Sequence, residues 1–160
     1  MKVLFLDIDG VLNSCKYEPT RNSEDEFIFI DETRMPYIQN IIKETNAKIV
    51  LTTTWRDCWN NDFEKCDKDG KYLSKLFSKY GLKVYDTTPI TPEYYNRPRE
   101  ISMWIGNIED NIESYAILDD DDFDWGYHRN RVVQTNPRKG YGLEEKHMLK
   151  VINILNDNEL

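Results

Sequence analysis

Val3-Leu4-Phe5-Leu6-Asp7-Ile8-Asp9-Gly10-Val11 runs from four apolar residues straight into two carboxylates and a glycine. An apolar run without polar alternation is how a strand buried on both faces of a parallel sheet reads. Side chains alternate along extended chain, so Asp7 and Asp9 leave the strand tip on the same side. Two carboxylates held together repel unless a cation lies between them or one is protonated. In such a pair one aspartate can attack phosphorus and form an acyl phosphate. The other protonates the leaving oxygen and later activates water. Gly10 relieves the backbone where the chain turns away. The plainer reading is an Asx turn at a strand end. A calcium loop fails on spacing: counted from Asp7, its fifth and sixth positions are Val11 and Leu12, where an acid or Asn and then a Gly belong. Residues 67–70 fail likewise, with Lys65 and Leu76 where acids are required, and Asp69-Gly70 reads as a turn.

Outward from that stretch, short apolar runs alternate with helical patterns. Five strands are expected, near residues 3–6, 49–51, 82–85, 115–118 and 131–133. Met35, Ile38, Ile41 and Ile42 form one helical face, which Asp31 or Thr33 can cap if Pro36 falls in the first turn. Leu73, Leu76, Phe77 and Tyr80 form a second, closed by Gly81; Ile101, Trp104, Ile105 and Ile108 form a third. The last helix is expected from about Leu143 to Leu155, with Glu144 and Glu145 at its positive end. This alternation predicts an α/β fold, a parallel sheet with helices on both faces. Ligands of such sheets bind beyond the carboxyl ends of the strands.

Chemistry is therefore expected at the other strand ends as well. After residue 51 come Thr52, Thr53 and Thr54, then Trp55 and Arg56. Hydroxyls and free backbone N–H groups there suit a phosphate oxygen, and Arg56 offers a bidentate clamp. The plainer reading is a β-branched strand tail with a surface arginine. Residues 119–122 are all Asp and follow an apolar strand, which puts carboxylates in the same crevice as Asp7 and Asp9. Magnesium takes an octahedron of oxygens from one or two carboxylates, waters and a substrate phosphate. Asp7, Asp119 or Asp120, and the carbonyl of Asp9 would satisfy it. Arg97 and Arg99 open the preceding helix, and either would neutralise phosphoryl charge. His128 and His147 are isolated and read as ordinary, as do Cys58 and Cys66. Gly140-Tyr141-Gly142 hints at phosphate cradling but reads more simply as a loop. Trp55, Trp59 and Trp125 suit base stacking, or more simply core and rim packing. Arg21 reads as a solvated side chain within reach of a substrate phosphate.

Composition narrows the class. A chain of 160 residues is expected to form one domain over 1–160. With 39% apolar and 12% aromatic residues it is not disordered. The 21 basic and 29 acidic residues give −8, which opposes nonspecific nucleic-acid binding unless a metal or local basic cluster reverses the sign. No apolar stretch approaches the ~20 residues of a membrane span, and the apolar run after Lys2 is too short for a signal-peptide core. Three cysteines without a C-x-x-C pattern point to reduced thiols and a cytoplasmic protein; a monomer is expected.

Together the strand-end signals resemble the haloacid dehalogenase (HAD) superfamily of phosphohydrolases over nearly the whole chain. Asp7-Ile8-Asp9-Gly10-Val11 resembles its nucleophile motif, Thr52 its Ser/Thr motif, and Asp119-Asp120 its acidic motif. F-L-D-I-D-G-V-L-N, K-I-V-L-T-T-T-W-R and R-x-x-E-I-x-x-W-I are most similar to small HAD domains grouped with RNA-repair proteins. The phosphatase half of phage polynucleotide kinase is a more distant relative. The resemblance implies a Rossmann-like five-stranded sheet in order 5-4-1-2-3, Mg²⁺ and aspartyl-phosphate chemistry. It implies Asp7 as nucleophile, Asp9 as general acid/base, Thr52 binding the phosphoryl group, and Arg97, favoured over Arg99, stabilising charge. Gly10, Thr53, Arg56 and Arg99 are then candidate substrate contacts. Asp7, Asp9, Asp119 and Asp120 are candidate metal ligands, with Asp120 preferred and Asp119 as its partner. No large cap fits; residues 13–30 leave room for a flap hairpin only, and 57–71 is a second stretch able to fold over the site. The expected substrate is a 3′-phosphate end of nucleic acid, or else a mononucleotide or other small phosphate ester. A phospho-acceptor or binding module without turnover, in the manner of a receiver domain, is the reading from another class.

Overall fold

The computed structural model describes residues 1–21, 27–91 and 96–157. Among the described residues the strands are β1 (Lys2–Leu6), β2 (Thr20–Arg21), β3 (Phe27–Ile28), β4 (Lys48–Leu51), β5 (Val84–Thr87), β6 (Ser114–Asp119) and β7 (Val132–Gln134). The α-helices among these residues are α1 (Met35–Thr45), α2 (Lys68–Lys79), α3 (Arg97–Asn107) and α4 (Glu145–Leu155). The main sheet is parallel throughout, in the order β5-β4-β1-β6-β7. With the small antiparallel β2–β3 pair set aside, that is 5-4-1-2-3, the expected order. The hairpin falls within the expected flap at 13–30, of which residues 22–26 lie outside the described residues.

Period-two alternation divides the strands between two cores. Leu4, Leu6, Ile49, Leu51, Ala116 and Leu118 face a cluster filled by the apolar stripes of α1, α2 and α4. Val3, Phe5, Val50 and Ile117 face the other way, against Ile101 and Trp104 of α3 and against Trp125. Phe5 meets the Trp104 ring edge-on at 5.4 Å. Each fully buried Leu, Ile or Phe contributes ~1.5–3 kcal/mol, so burial on both faces is what holds the sheet between its helices.

Local chemistry sets the boundaries. Pro36 does fall in the first turn of α1, but Asp31 caps the 3₁₀ turn Glu32–Arg34 that precedes the helix rather than the helix itself. Asp69-Gly70 is not a turn. Asp67 accepts from the N–H groups of both, making the pair the first turn of α2. Leu82 does not open a strand; its N–H closes the end of α2 by donating to the Phe77 carbonyl, with Gly81 at φ +66°. The third strand therefore starts two residues later than its apolar residues suggest. Among the described residues no helix is long and apolar enough to cross a membrane.

Candidate functional site

β1, β4 and β6 run in register, with Leu6 level with Leu51 on one side and Leu118 on the other. The next residues, Asp7, Thr52 and Asp119, therefore stand side by side at the carboxyl edge of the sheet. The pairing carries one residue further, since the Asp7 N–H donates to the Leu118 carbonyl and the Thr52 N–H to that of Leu6. Apolar strands thus deliver their terminal polar residues to one line, and α3 lays its first residue across it. Arg97 is buried, and its Nη1 donates to Asp7 Oδ2 at 2.7 Å and to Asp119 Oδ2 at 2.6 Å. Arg99, by contrast, lies on the exposed side of α3. Of the two arginines, Arg97 is the one that bonds Asp7 and Asp119.

One guanidinium cannot offset the acids gathered here. Carboxylate oxygens of Asp7, Asp119 and Asp120 all lie within 4.8 Å of one another. Burial pushes Asp7 up to about 7, against the pull of Arg97 and with Asp119 adding to the rise. Burial, with Asp121 and Asp7 nearby, pushes Asp120 up to about 6. Asp119 is raised as well, again chiefly by burial. Burial alone would pull the Arg97 guanidinium down, but Asp7 and Asp119 outweigh it and push it up. A site that is short of positive charge while its acids converge suits a divalent cation. Asp120 is half-buried on the cleft wall, whereas Asp119 is fully buried, bonded to Arg97 through Oδ2 and to the Asp121 N–H through Oδ1. Gly10 makes room for this. Its φ is +73°, and a Cβ there would stand 2.2 Å from Cγ of Asp120.

The Asp9 side chain departs from the expected convergence. It is not in the acidic group. Its Oδ1 accepts from Asn13 Nδ2 at 2.9 Å and its Oδ2 from the Trp55 indole at 3.1 Å. Its carboxylate still lines the same cleft, a space of about 640 Å³ bounded also by Asp7, Thr54, Arg97 and Asp120. At the end of β4 the cleft wall is Thr54; Thr53 accepts from the Trp55 N–H. Thr52 is fully buried, and its hydroxyl has no hydrogen-bond partner among the described residues. Arg56 is turned away from the cleft. Its guanidinium pairs with buried Glu100 at 2.9 Å and donates to the Thr52 carbonyl and the Thr88 hydroxyl, so it ties β4 to α3 instead of clamping a substrate.

Several readings resolve as structural. Trp125 is buried in the second core and Trp59 packs on the first, and neither lines the cleft that holds Asp7. His128 is buried, bonded to Ser102 and Tyr115; His147 completes the capping box of α4. Gly142, at φ +80°, lies where a Cβ would meet the Val11 carbonyl at 2.5 Å, so that loop packs on the turn that follows β1. The three cysteines are free. Residues not anticipated from sequence include Asn13, which a spacing of four from Asp9 could have suggested. They also include Arg138, in the turn after β7, for which no local signal exists.

Known proteins were compared with this geometry in hand. Neither the curated proteins nor the solved structures give a match. A family model does, over residues 3–148, and it spans β1 through the first turn of α4, with every strand end described above inside it. On that match the chain belongs to the family of HAD domains in Swiss Army Knife RNA repair proteins.

Proposed function

We propose that this domain is a Mg²⁺-dependent phosphomonoesterase that works through an aspartyl-phosphate on Asp7 and acts on 3′-phosphate ends of nucleic acid. Membership of a HAD family supports a phosphatase-like activity. The observation that carries the mechanism is Arg97 Nη1 held between Asp7 and Asp119, with Asp120 beside them at an open cleft. In the first step an Asp7 carboxylate oxygen forms a bond to phosphorus while the ester oxygen leaves, taking its proton from Asp9. In the second, Asp9 takes a proton from water, whose oxygen displaces Asp7 from phosphorus and releases inorganic phosphate. Thr54 on the wall, and the unpartnered Thr52 hydroxyl at the same strand end, are the oxygen ligands offered to the phosphoryl group. Arg97 offsets the charge that gathers on the phosphoryl oxygens. Asp7 and Asp120 would hold the cation, with Asp119 steadied by Arg97. The cation supplies the positive charge that keeps Asp7 ionised at neutral pH and lets an anionic substrate approach.

A nucleic-acid end is supported by the family's RNA-repair context and by a chain whose segment between β1 and α1 is too short for a large cap over the site. The net charge of −8 favours the second reading, a mononucleotide or small phosphate ester. The receiver-like reading is disfavoured because Asp86, the acid near the end of the third parallel strand, accepts from the Trp104 indole at 2.7 Å. A Mg²⁺-dependent phosphatase screen of 3′- and 5′-phosphorylated oligonucleotides, mononucleotides and sugar phosphates tests the reading. Preference for 3′-phosphorylated oligonucleotides is expected; preference for a mononucleotide would replace the substrate, and phosphorylation of the protein without phosphate release would replace the class.

A further inference from the structure

Beside the main cleft lies a second space of about 390 Å³, which shares Asp120, Asp121, Pro137 and Arg138 with it and is completed by Gln134 and Asn136. We infer that this annex binds the phosphodiester next to the terminal phosphate, with Arg138 as its counter-ion. The inference rests on the phosphatase reading above and deepens it.

Arg138 is unusual in this acidic chain. Other arginines are taken up by carboxylates: Arg34 by Asp31, Arg56 by Glu100, Arg129 by Asp122 and Arg131 by Asp157. Among the described residues, Arg138 makes no hydrogen bond, ion pair or ring contact, although Asp120 and Asp121 line the same two spaces. Its backbone is nonetheless held in place. The Gly140 N–H donates to the Asn136 carbonyl at 2.8 Å and the Lys139 N–H to Asn136 Oδ1 at 3.0 Å, closing the turn. The Cys15 N–H donates to the Pro137 carbonyl, and the Thr135 hydroxyl to the Gly10 carbonyl at 2.8 Å, fixing the turn to the loop that carries Asp9. An exposed guanidinium without a protein partner, carried by a braced turn at the junction of the cleft and a polar annex, is open to an anion.

The charge of that anion follows from the acids that share the annex. Asp121 is exposed there, and a second terminal phosphate, a dianion, would meet its repulsion. A phosphodiester carries one charge, which Arg138 alone can match, and its remaining oxygens suit the amide nitrogen of Asn136. The annex therefore selects for a chain continuing from the terminal nucleotide and not for a bisphosphorylated monomer.

The test compares KM and kcat with Mg²⁺ for a 3′-phosphorylated oligonucleotide, a nucleoside 3′-monophosphate and p-nitrophenyl phosphate, in wild type, Arg138→Ala and Arg138→Lys. Arg138→Ala is expected to raise the oligonucleotide's KM about 10-fold more than that of either small ester, the usual scale for one charge-assisted contact. Its KM should also become less salt-dependent, by about 0.7 in log–log slope for one phosphate on a single strand. Arg138→Lys should restore part of the loss. Equal effects on all three substrates, or none on the oligonucleotide, would overturn the annex while leaving the phosphatase intact. Absence of turnover of every substrate by the wild type would overturn the phosphatase reading, and the annex with it.

Discussion

Arg97 serves two carboxylates through a single nitrogen, and neither has another cation within the described site. Removing it strands two buried acids, and loss of one partner from a buried pair typically costs ~3–5 kcal/mol. Arg97→Met is therefore expected to lose stability of that order at pH 8 in chelator, read by urea denaturation, and less at pH 5, where Asp7, with its pKa near 7, takes a proton. A loss of equal size at both pH values would contradict the charge argument. Asp120 gives a second prediction. Its folded pKa of about 6 lies above the ordinary 3.8, so whatever stability it confers is present below pH ~4 and is lost as pH rises through about 6. His128 and His147, lowered mainly by burial, act with the opposite sign, losing stability as pH falls, so the effect of Asp120 is read as a difference between variants. In chelator, Asp120→Asn should melt higher than wild type at pH 8 and equal to it at pH 4. Mg²⁺ should raise the melting temperature of wild type at pH 8 and have a smaller effect on the variant. At this scale the sequence was most legible where chemistry sits at the end of an apolar run, as with Asp7 and Asp119, whereas Arg97, which opens α3, was favoured over Arg99 only through the family resemblance. It was least legible for Asp9, whose contact with Trp55 spans 46 residues and leaves no periodic trace.

Elements hold the site through two contacts that local pattern does not reveal. The buried Arg56–Glu100 pair joins the end of β4 to α3, one turn from Arg97, and Glu100 also accepts from the Thr91 N–H and hydroxyl. Glu100→Gln is expected to cost ~3–5 kcal/mol, because a buried guanidinium then loses its counter-charge. Activity should fall with it as α3 loosens over Asp7; an unchanged unfolding midpoint would show the pair to be incidental. Gly70 marks the other contact. A Cβ there would stand 1.9 Å from the Cys58 carbonyl oxygen, so Gly70→Ala should destabilise by ~1–3 kcal/mol through a forced backbone shift. Gly81→Ala, with open space at φ +66°, tests strain alone by the same thermal melt. Asp69-Gly70 looked like a turn because that dipeptide favours turns, yet the Asp67 cap two residues earlier converts it into a helix start. The hydrophobicity of Leu82 points to a strand, but the helix-closing bond to Phe77 claims it first. Both errors share a cause: capping bonds decide boundaries, and apolar pattern does not record them.

On the scale of the whole molecule, the class of fold was readable because parallel strands announce themselves as unbroken apolar runs, and their order followed from a family resemblance that residues 3–148 bear out. Substrate was not readable, because it depends on how turns from distant segments meet. The cleft joins the β1–β2 segment, the 54–57 turn, the start of α3 and the turn after β7. An overall charge of −8 must also be overcome locally if nucleic acid is to approach. The central claim is that Asp7 becomes phosphorylated during turnover. Its most direct test is rapid acid quench during Mg²⁺-dependent hydrolysis of p-nitrophenyl phosphate, followed by mass spectrometry of the peptide containing Asp7. Phosphate on Asp7 in wild type and no measurable hydrolysis by Asp7→Asn is the expected result, while sustained hydrolysis by Asp7→Asn would contradict the account.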